Sequence, residues 1–171
     1  MINENGKDIL KVRPPTGYPP EEGRFIRGDD YSPVAVAAVL DTYDFKIPVE
    51  LEQIVKTAIE SGAAIAGSVQ TENIGIEKIV ANVVANPNIR YLAICGREVE
   101  GHMPGEALKS LIELGLDERI IKGTKAFRPY LLNISMEAVE RFRRQITTVI
   151  DLIGTDDLET IKNNKFNLSD R

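Results

Sequence analysis

One cysteine, one histidine and no tryptophan occur in 171 residues, and each scarcity excludes something. The lone Cys95 cannot close an internal disulfide. With a single histidine, and no carboxylates clustered with it at ligand spacing, the chain cannot fill a tetrahedral zinc set. Basic residues are outnumbered, 21 to 26, for a net charge of −5. As no Lys/Arg-rich run appears either, no nucleic acid is expected as a partner. No apolar stretch reaches the roughly 18–20 residues a membrane helix requires, so the chain as written is expected to carry none. The start, "MINENGKDIL", lacks the basic and apolar regions of a signal peptide, and the expected location is the cytoplasm. The chemical motifs are missing too: neither G-x-G-x-x-G, G-x-x-x-x-G-K-[ST] nor G-x-S-x-G is present, which leaves dinucleotide, P-loop and nucleophile-elbow chemistry without support.

What is present is an alternation of strands and helices. The first 32 residues include "RPPTGYPPEEGRFIRGDD", with four prolines and three glycines in 18 residues, and are expected to form an irregular, extended N-terminal arm. Apolar β-branched runs at 33–40, 63–69 and 89–95 read as buried strands, with a shorter β-like run at 119–123. Between them, 48–62, 71–87 and 104–115 carry apolar residues at helical spacing, with Pro48 and Pro104 near two starts and Gly62 and Gly115 at two ends. Ser135 is expected to cap a long helix whose apolar positions are Val139, Phe142, Ile146, Val149 and Ile150. Continuous apolar strands alternating with amphipathic helices predict an α/β, Rossmann-like fold, a mainly parallel sheet with helices on both faces. The expected division is the arm at 1–32, the α/β domain at 33–155 and a C-terminal tail at 156–171.

In such a sheet, ligands bind outside the carboxyl ends of the strands. Three loops qualify: "LDTYDFKI" after the first strand, "GSVQTEN" after the second and "CGREVEGHMPG" after the third. Gly67, Gly96, Gly101 and Gly105 allow close approach of backbone and ligand, while Ser68, Thr71 and Asn73 add small hydrogen-bonding groups. Any strand-to-helix turn uses the same residue types. His102 lies in the third loop beside a helix start, whose dipole disfavours imidazolium and keeps a lone pair on the ring. A neutral imidazole suits a cofactor that brings its own metal and needs one axial donor; a surface loop residue making a capping bond is the plainer alternative. Cys95 reads as a buried packing residue, Asp29-Asp30 and Asp156-Asp157 as turn or cap residues, and Arg141, Arg143 and Arg144 as a solvated helix face. No catalytic constellation is visible.

The stretches "GYPPEEGRFIRGDDYSPVAV", "AGSVQTENIGIEKIVANVVANPNIRYLAICGREVEGH" and the following "GEAL" resemble the A subunit of the tetrahydromethanopterin S-methyltransferase of methanogenic archaea, over about residues 11–155. The resemblance implies a cobamide, a cobalamin-type corrinoid with cobalt, as cofactor and His102 as its axial cobalt ligand. It also implies a cofactor pocket containing Gly67, Ser68, Thr71, Glu72, Asn73, Gly96, Gly101, His102 and Met103. The function so implied is to accept a methyl group from methyl-tetrahydromethanopterin and pass it to coenzyme M together with other methyltransferase subunits, in a complex that exports sodium ions. A non-catalytic ligand-binding module or a corrinoid store are the alternatives. Glu100 is the carboxylate expected to orient the ring, "EGHMPG" matching E-x-H-x-x-G. Two departures stand out: the family's membrane-complex member ends in a membrane helix, whereas this chain stops at "KNNKFNLSDR", and Pro104 restrains φ just after the histidine.

Overall fold

A computed structural model describes residues 11–39 and 47–164. Of the loop expected after the first strand, 40–47, residues 40–46 lie outside the described residues. Six consecutive buried residues, Val34–Val39, form β2, following a short edge strand β1 (Phe25–Arg27). The chain continues through α1 (Val49–Glu60), β3 (Ile65–Val69), α2 (Ile74–Val84), β4 (Tyr91–Gly96) and α3 (Pro104–Leu114). A two-stranded hairpin, β5 (Leu116–Asp117) and β6 (Ile120–Ile121), leads to α4 (Met136–Gln145), β7 (Thr148–Ile153) and α5 (Leu158–Asn163).

The main sheet has the order β1-β3-β2-β4-β7. Its β3, β2, β4 and β7 run parallel, and β1 joins the edge antiparallel, Ile26 opposite Ala66. The fold is therefore α/β with a mostly parallel sheet, in the Rossmann-like manner expected. Alternate residues of β2 explain the layers. Ala35, Ala37 and Val39 enter one core with Ile76, Val80 and Val83 of α2, Leu108 and Leu111 of α3, and Val139 and Phe142 of α4. On the other face, Val34, Val36 and Ala38 pack with Leu51, Ile54 and Ala58 of α1 and Ile161 of α5. A strand covered on both faces has no polar side to alternate, which is why these runs read as continuous apolar stretches.

Local chemistry sets the helix boundaries. Asn73 accepts the N–H of Ile74, Ser135 accepts that of Ala138, and Pro104 occupies the first turn of α3. The long helix expected from Ser135 through Ile150 is corrected: it ends at Gln145, and Val149 and Ile150 belong to β7, opposite Leu92 and Ala93 of β4. Ile146 adopts φ −80° and ψ 104°, and the Thr147 N–H goes to the Arg90 carbonyl at 2.8 Å, starting the ladder. In "ITTVIDLI" the β-branched residues favour the strand, and pairing with β4 decides between two periods that the spacing alone allows. Residues 25–27, inside the stretch expected to be irregular, are paired strand.

Arg143 also departs from the solvated face expected of it. Its guanidinium donates to the carbonyls of Ile112 and Glu113 at the end of α3, at 3.2 and 3.5 Å, and to Glu140. It thereby satisfies carbonyls that the helix leaves unpaired.

Candidate functional site

The carboxyl ends of β3 and β4 flank that of β2, and the loops leaving them converge on the face covered by α2 and α3. The β4–α3 loop begins at Gly96, whose φ of +86° and contact with Val39 exclude a side chain. Gly96 is also locked to the end of β7: its N–H goes to the Thr155 carbonyl and its carbonyl receives the Gly154 N–H, both at 2.7 Å. Buried Val99 then anchors a turn in which its carbonyl accepts the N–H of His102 at 3.2 Å and of Met103 at 2.8 Å. Met103 is left-handed, φ +41° and ψ 52°, an uncommon state for a residue with a side chain, and it leads directly into Pro104. The loop thus presents His102 on a short turn held at both ends.

The His102 Nδ1 lies 3.0 Å from Oε2 of Glu72. The carboxylate side chain is 2% exposed and the imidazole 44%, so a buried anion holds a ring that reaches solvent. The other oxygen, Oε1, accepts the backbone N–H of Arg128 at 2.9 Å. Glu72, thirty residues before His102, is a carboxylate that orients the ring at Nδ1, one that local spacing does not point to. A carboxylate accepts, so Nδ1 carries the proton and any ligation falls to Nε2.

A segment without a readable period in the sequence completes the arrangement. Between β6 and α4, the Phe127 N–H donates to the Gly101 carbonyl at 2.9 Å and the Arg128 carbonyl receives the Asn73 side-chain amide at 3.5 Å. Farther along, Asn133 donates through its backbone and its side chain to Glu77 at 2.8 and 3.0 Å. The segment therefore crosses the Glu72 and His102 loops and bonds to both. Phe127 and Arg128 lie in "KAFRPYLLN", where proline and mixed polarity leave no period to follow; the aromatic–arginine pair was the single available hint.

Apart from Gly96, which is bonded to the end of β7, the expected pocket residues separate into two groups. Glu72, Asn73, Gly101, His102 and Met103 assemble around the imidazole. Gly67, Ser68 and Thr71, with Ile74, line a cavity of about 280 Å³ between α2 and the β3 side of the sheet, under residues 22–25 of the arm. The close approach at Gly67 is that of β1: an added Cβ would lie 2.8 Å from the Phe25 Cβ. Thr71 accepts the Gly75 N–H at 2.8 Å and caps α2. Gly101, at φ +82°, has open space where a Cβ would stand.

Behind His102, Glu98 accepts the Glu106 N–H at 3.1 Å through Oε1, while its buried Oε2 has no hydrogen-bond partner. Burial, with the nearby charges of Glu106 and Asp151, holds this carboxyl above its ordinary range against the lowering effect of the Glu106 and Gly105 amides. Cys95 is buried in β4 and its thiol is pushed up to about 12 by burial, as suits a packing residue.

No group of three or more His, Cys, Asp or Glu that could hold a metal ion occurs among the described residues. One imidazole braced by one carboxylate is a poor cage for a bare cation. It fits a group whose metal already has its equatorial ligands and takes one axial donor. Among the described residues no helix is long and apolar enough to cross a membrane.

Comparison with known proteins points to one family. The MtrA family, described as the A subunit of tetrahydromethanopterin S-methyltransferase, matches residues 11–170. The chain is 45% identical over 152 residues to the A subunit of the tetrahydromethanopterin S-methyltransferase of Methanocaldococcus jannaschii, covering 88% of this chain and 59% of that protein. With the A subunit numbered 1 of the same enzyme in Methanothermobacter marburgensis it shares 43% over 156 residues, 90% of this chain and 60% of the relative. With the A subunit numbered 2 of Methanothermobacter thermautotrophicus the identity is also 43% over 156 residues, covering 90% and 78%. The chain thus spans about three-fifths of the length of the first two relatives.

Proposed function

The chain belongs to the MtrA family of tetrahydromethanopterin S-methyltransferase subunits, and from that premise we propose that it carries a cobamide with His102 as the axial ligand of cobalt. The proposal extends to the reaction: the chain holds a methyl group in transit from methyl-tetrahydromethanopterin to coenzyme M, with other methyltransferase subunits binding the two substrates. The observation that carries this reading is the pairing of His102 with buried Glu72 at 3.0 Å.

The pair does what a ligating histidine needs. Donation from Nδ1 to Glu72 fixes the tautomer and puts the ring's lone pair on Nε2. Arg128 keeps the carboxylate in place, because rotation away from the ring would break the bond from its N–H. Open space at Gly101 leaves room for a broad group beside the ring. When bound, the corrinoid supplies a cobalt centre that takes up and releases a methyl group. The residues of this chain bind and orient; the substrate sites lie on the partners.

The test is spectroscopic. Purified protein is mixed with hydroxocobalamin and its visible spectrum recorded. A shift on binding that disappears in His102→Ala supports the assignment, whereas a wild-type protein that leaves the spectrum unchanged overturns it.

A further inference from the structure

Exposed apolar side chains occur in several places on the described surface, but two of them are tied to the Glu72–His102 pair. Phe127 is the most exposed large hydrophobic residue described, at 70%, and Ile74 is 57% exposed. Phe127 donates its N–H to the carbonyl of Gly101, the residue before His102, and precedes Arg128, whose N–H is held by Glu72. Ile74 opens α2 immediately after Asn73, whose side-chain amide reaches the Arg128 carbonyl. The Arg128 guanidinium carbon lies 5.4 Å from the Phe127 ring centroid, within cation–π range, and restrains the ring.

An isolated surface leucine or valine needs no account, because much of any protein surface is apolar. These two residues differ in being joined by hydrogen bonds to the two loops that carry Glu72 and His102, Phe127 through the Gly101 carbonyl and Ile74 through the Asn73 side chain. A macrocycle ligated through its central metal must lay the face around that metal on whatever surrounds the donor. For a corrin that face is broad and largely hydrocarbon, so the surface it covers should be apolar and preformed. The polar groups nearby are engaged in hydrogen bonds among themselves: Glu72 with His102 and Arg128, and Asn73 with Ile74 and Arg128.

We propose that Ile74 and Phe127 form the apolar seat for the face of the macrocycle that His102 ligates. This inference rests on the corrinoid reading above and adds a division of labour to it. His102 determines how the metal is ligated, and Ile74 with Phe127 determines how tightly the ring is held and selects a wide flat group over a small hydrated cation.

Titration of the full chain with hydroxocobalamin, followed in the visible, separates the two contributions. In the double variant Ile74→Ala/Phe127→Ser the dissociation constant should rise about tenfold or more, the scale expected for losing two apolar contacts. At saturation its spectrum should match that of the wild type, since His102 is intact. Phe127→Leu should keep most of the affinity, and Leu114→Ala, at the far end of α3 and 48% exposed, should keep all of it. Circular dichroism checks that each variant is folded. A dissociation constant within twofold of wild type in the folded double variant overturns the seat while leaving His102 ligation standing. Absence of any spectral change in the wild type defeats the corrinoid reading, and the seat with it.

Discussion

Glu72 and His102, thirty residues apart, meet at 3.0 Å with the carboxylate buried and the imidazole open to solvent. The pair depends on two different strand-to-helix loops and on a backbone amide from a third segment.

That dependence gives Glu72 a structural role. Glu72→Ala removes the acceptor of the Arg128 N–H and of the His102 ring, and should lower unfolding free energy by about 1–3 kcal/mol. Glu72→Gln keeps an acceptor for Arg128 and should lose less. Urea unfolding of the three proteins checks the order; an alanine variant as stable as wild type contradicts it.

Gly67 is constrained by the edge strand. An alanine there would place its Cβ 2.7 Å from the Arg24 carbonyl oxygen and 2.8 Å from the Phe25 Cβ. Gly67→Ala should therefore displace β1 and destabilise the fold by about 1–3 kcal/mol. Limited proteolysis should show faster cleavage near residues 22–25, and unchanged protection would rule out β1 as the reason for this glycine.

Glu98 should make stability depend on pH. Its folded carboxyl is held above the ordinary value, first by burial and then by Glu106 and Asp151. The native state therefore binds more protons than the unfolded chain between the unfolded value of about 4.5 and the higher folded value. This contribution is fully present below about pH 4.5 and is lost as pH rises through the folded value. Glu98→Gln should flatten this part of the profile. Chemical denaturation from about pH 4 to 7 is the measurement, and parallel curves for the two proteins would falsify the assignment.

Cys95 should be inert while the protein is folded. With the thiol pushed up to about 12, only about one molecule in ten thousand carries a thiolate at pH 8, and the sulfur is inaccessible. Labelling by a disulfide reagent should proceed at the rate of opening and accelerate in urea. Rapid labelling in buffer would contradict the burial.

Much of the fold is legible locally. β2, β3 and β4 are continuous apolar runs because both faces are covered, and α1 to α3 carry stop and start residues where they end and begin. β7 escaped because Val149 and Ile150 also fit a helical spacing continued from α4, and only pairing with β4 separates the two. β1 escaped because three residues within a Pro/Gly-rich stretch have no period. Arg143 reads as a surface charge until α3 is seen to end beneath it.

The sequence by itself determined that the chain is a layered α/β protein and that its only histidine leaves the end of a parallel strand, since apolar period and helix caps act over a few residues. Tertiary structure alone decided that Glu72 braces that histidine and that Phe127 and Arg128 bond to its loop and to that carboxylate. Those contacts join segments 30 and 56 residues apart. They arise from the strand order β3-β2-β4 and from the path of the segment after β6, neither of which leaves a trace in local spacing.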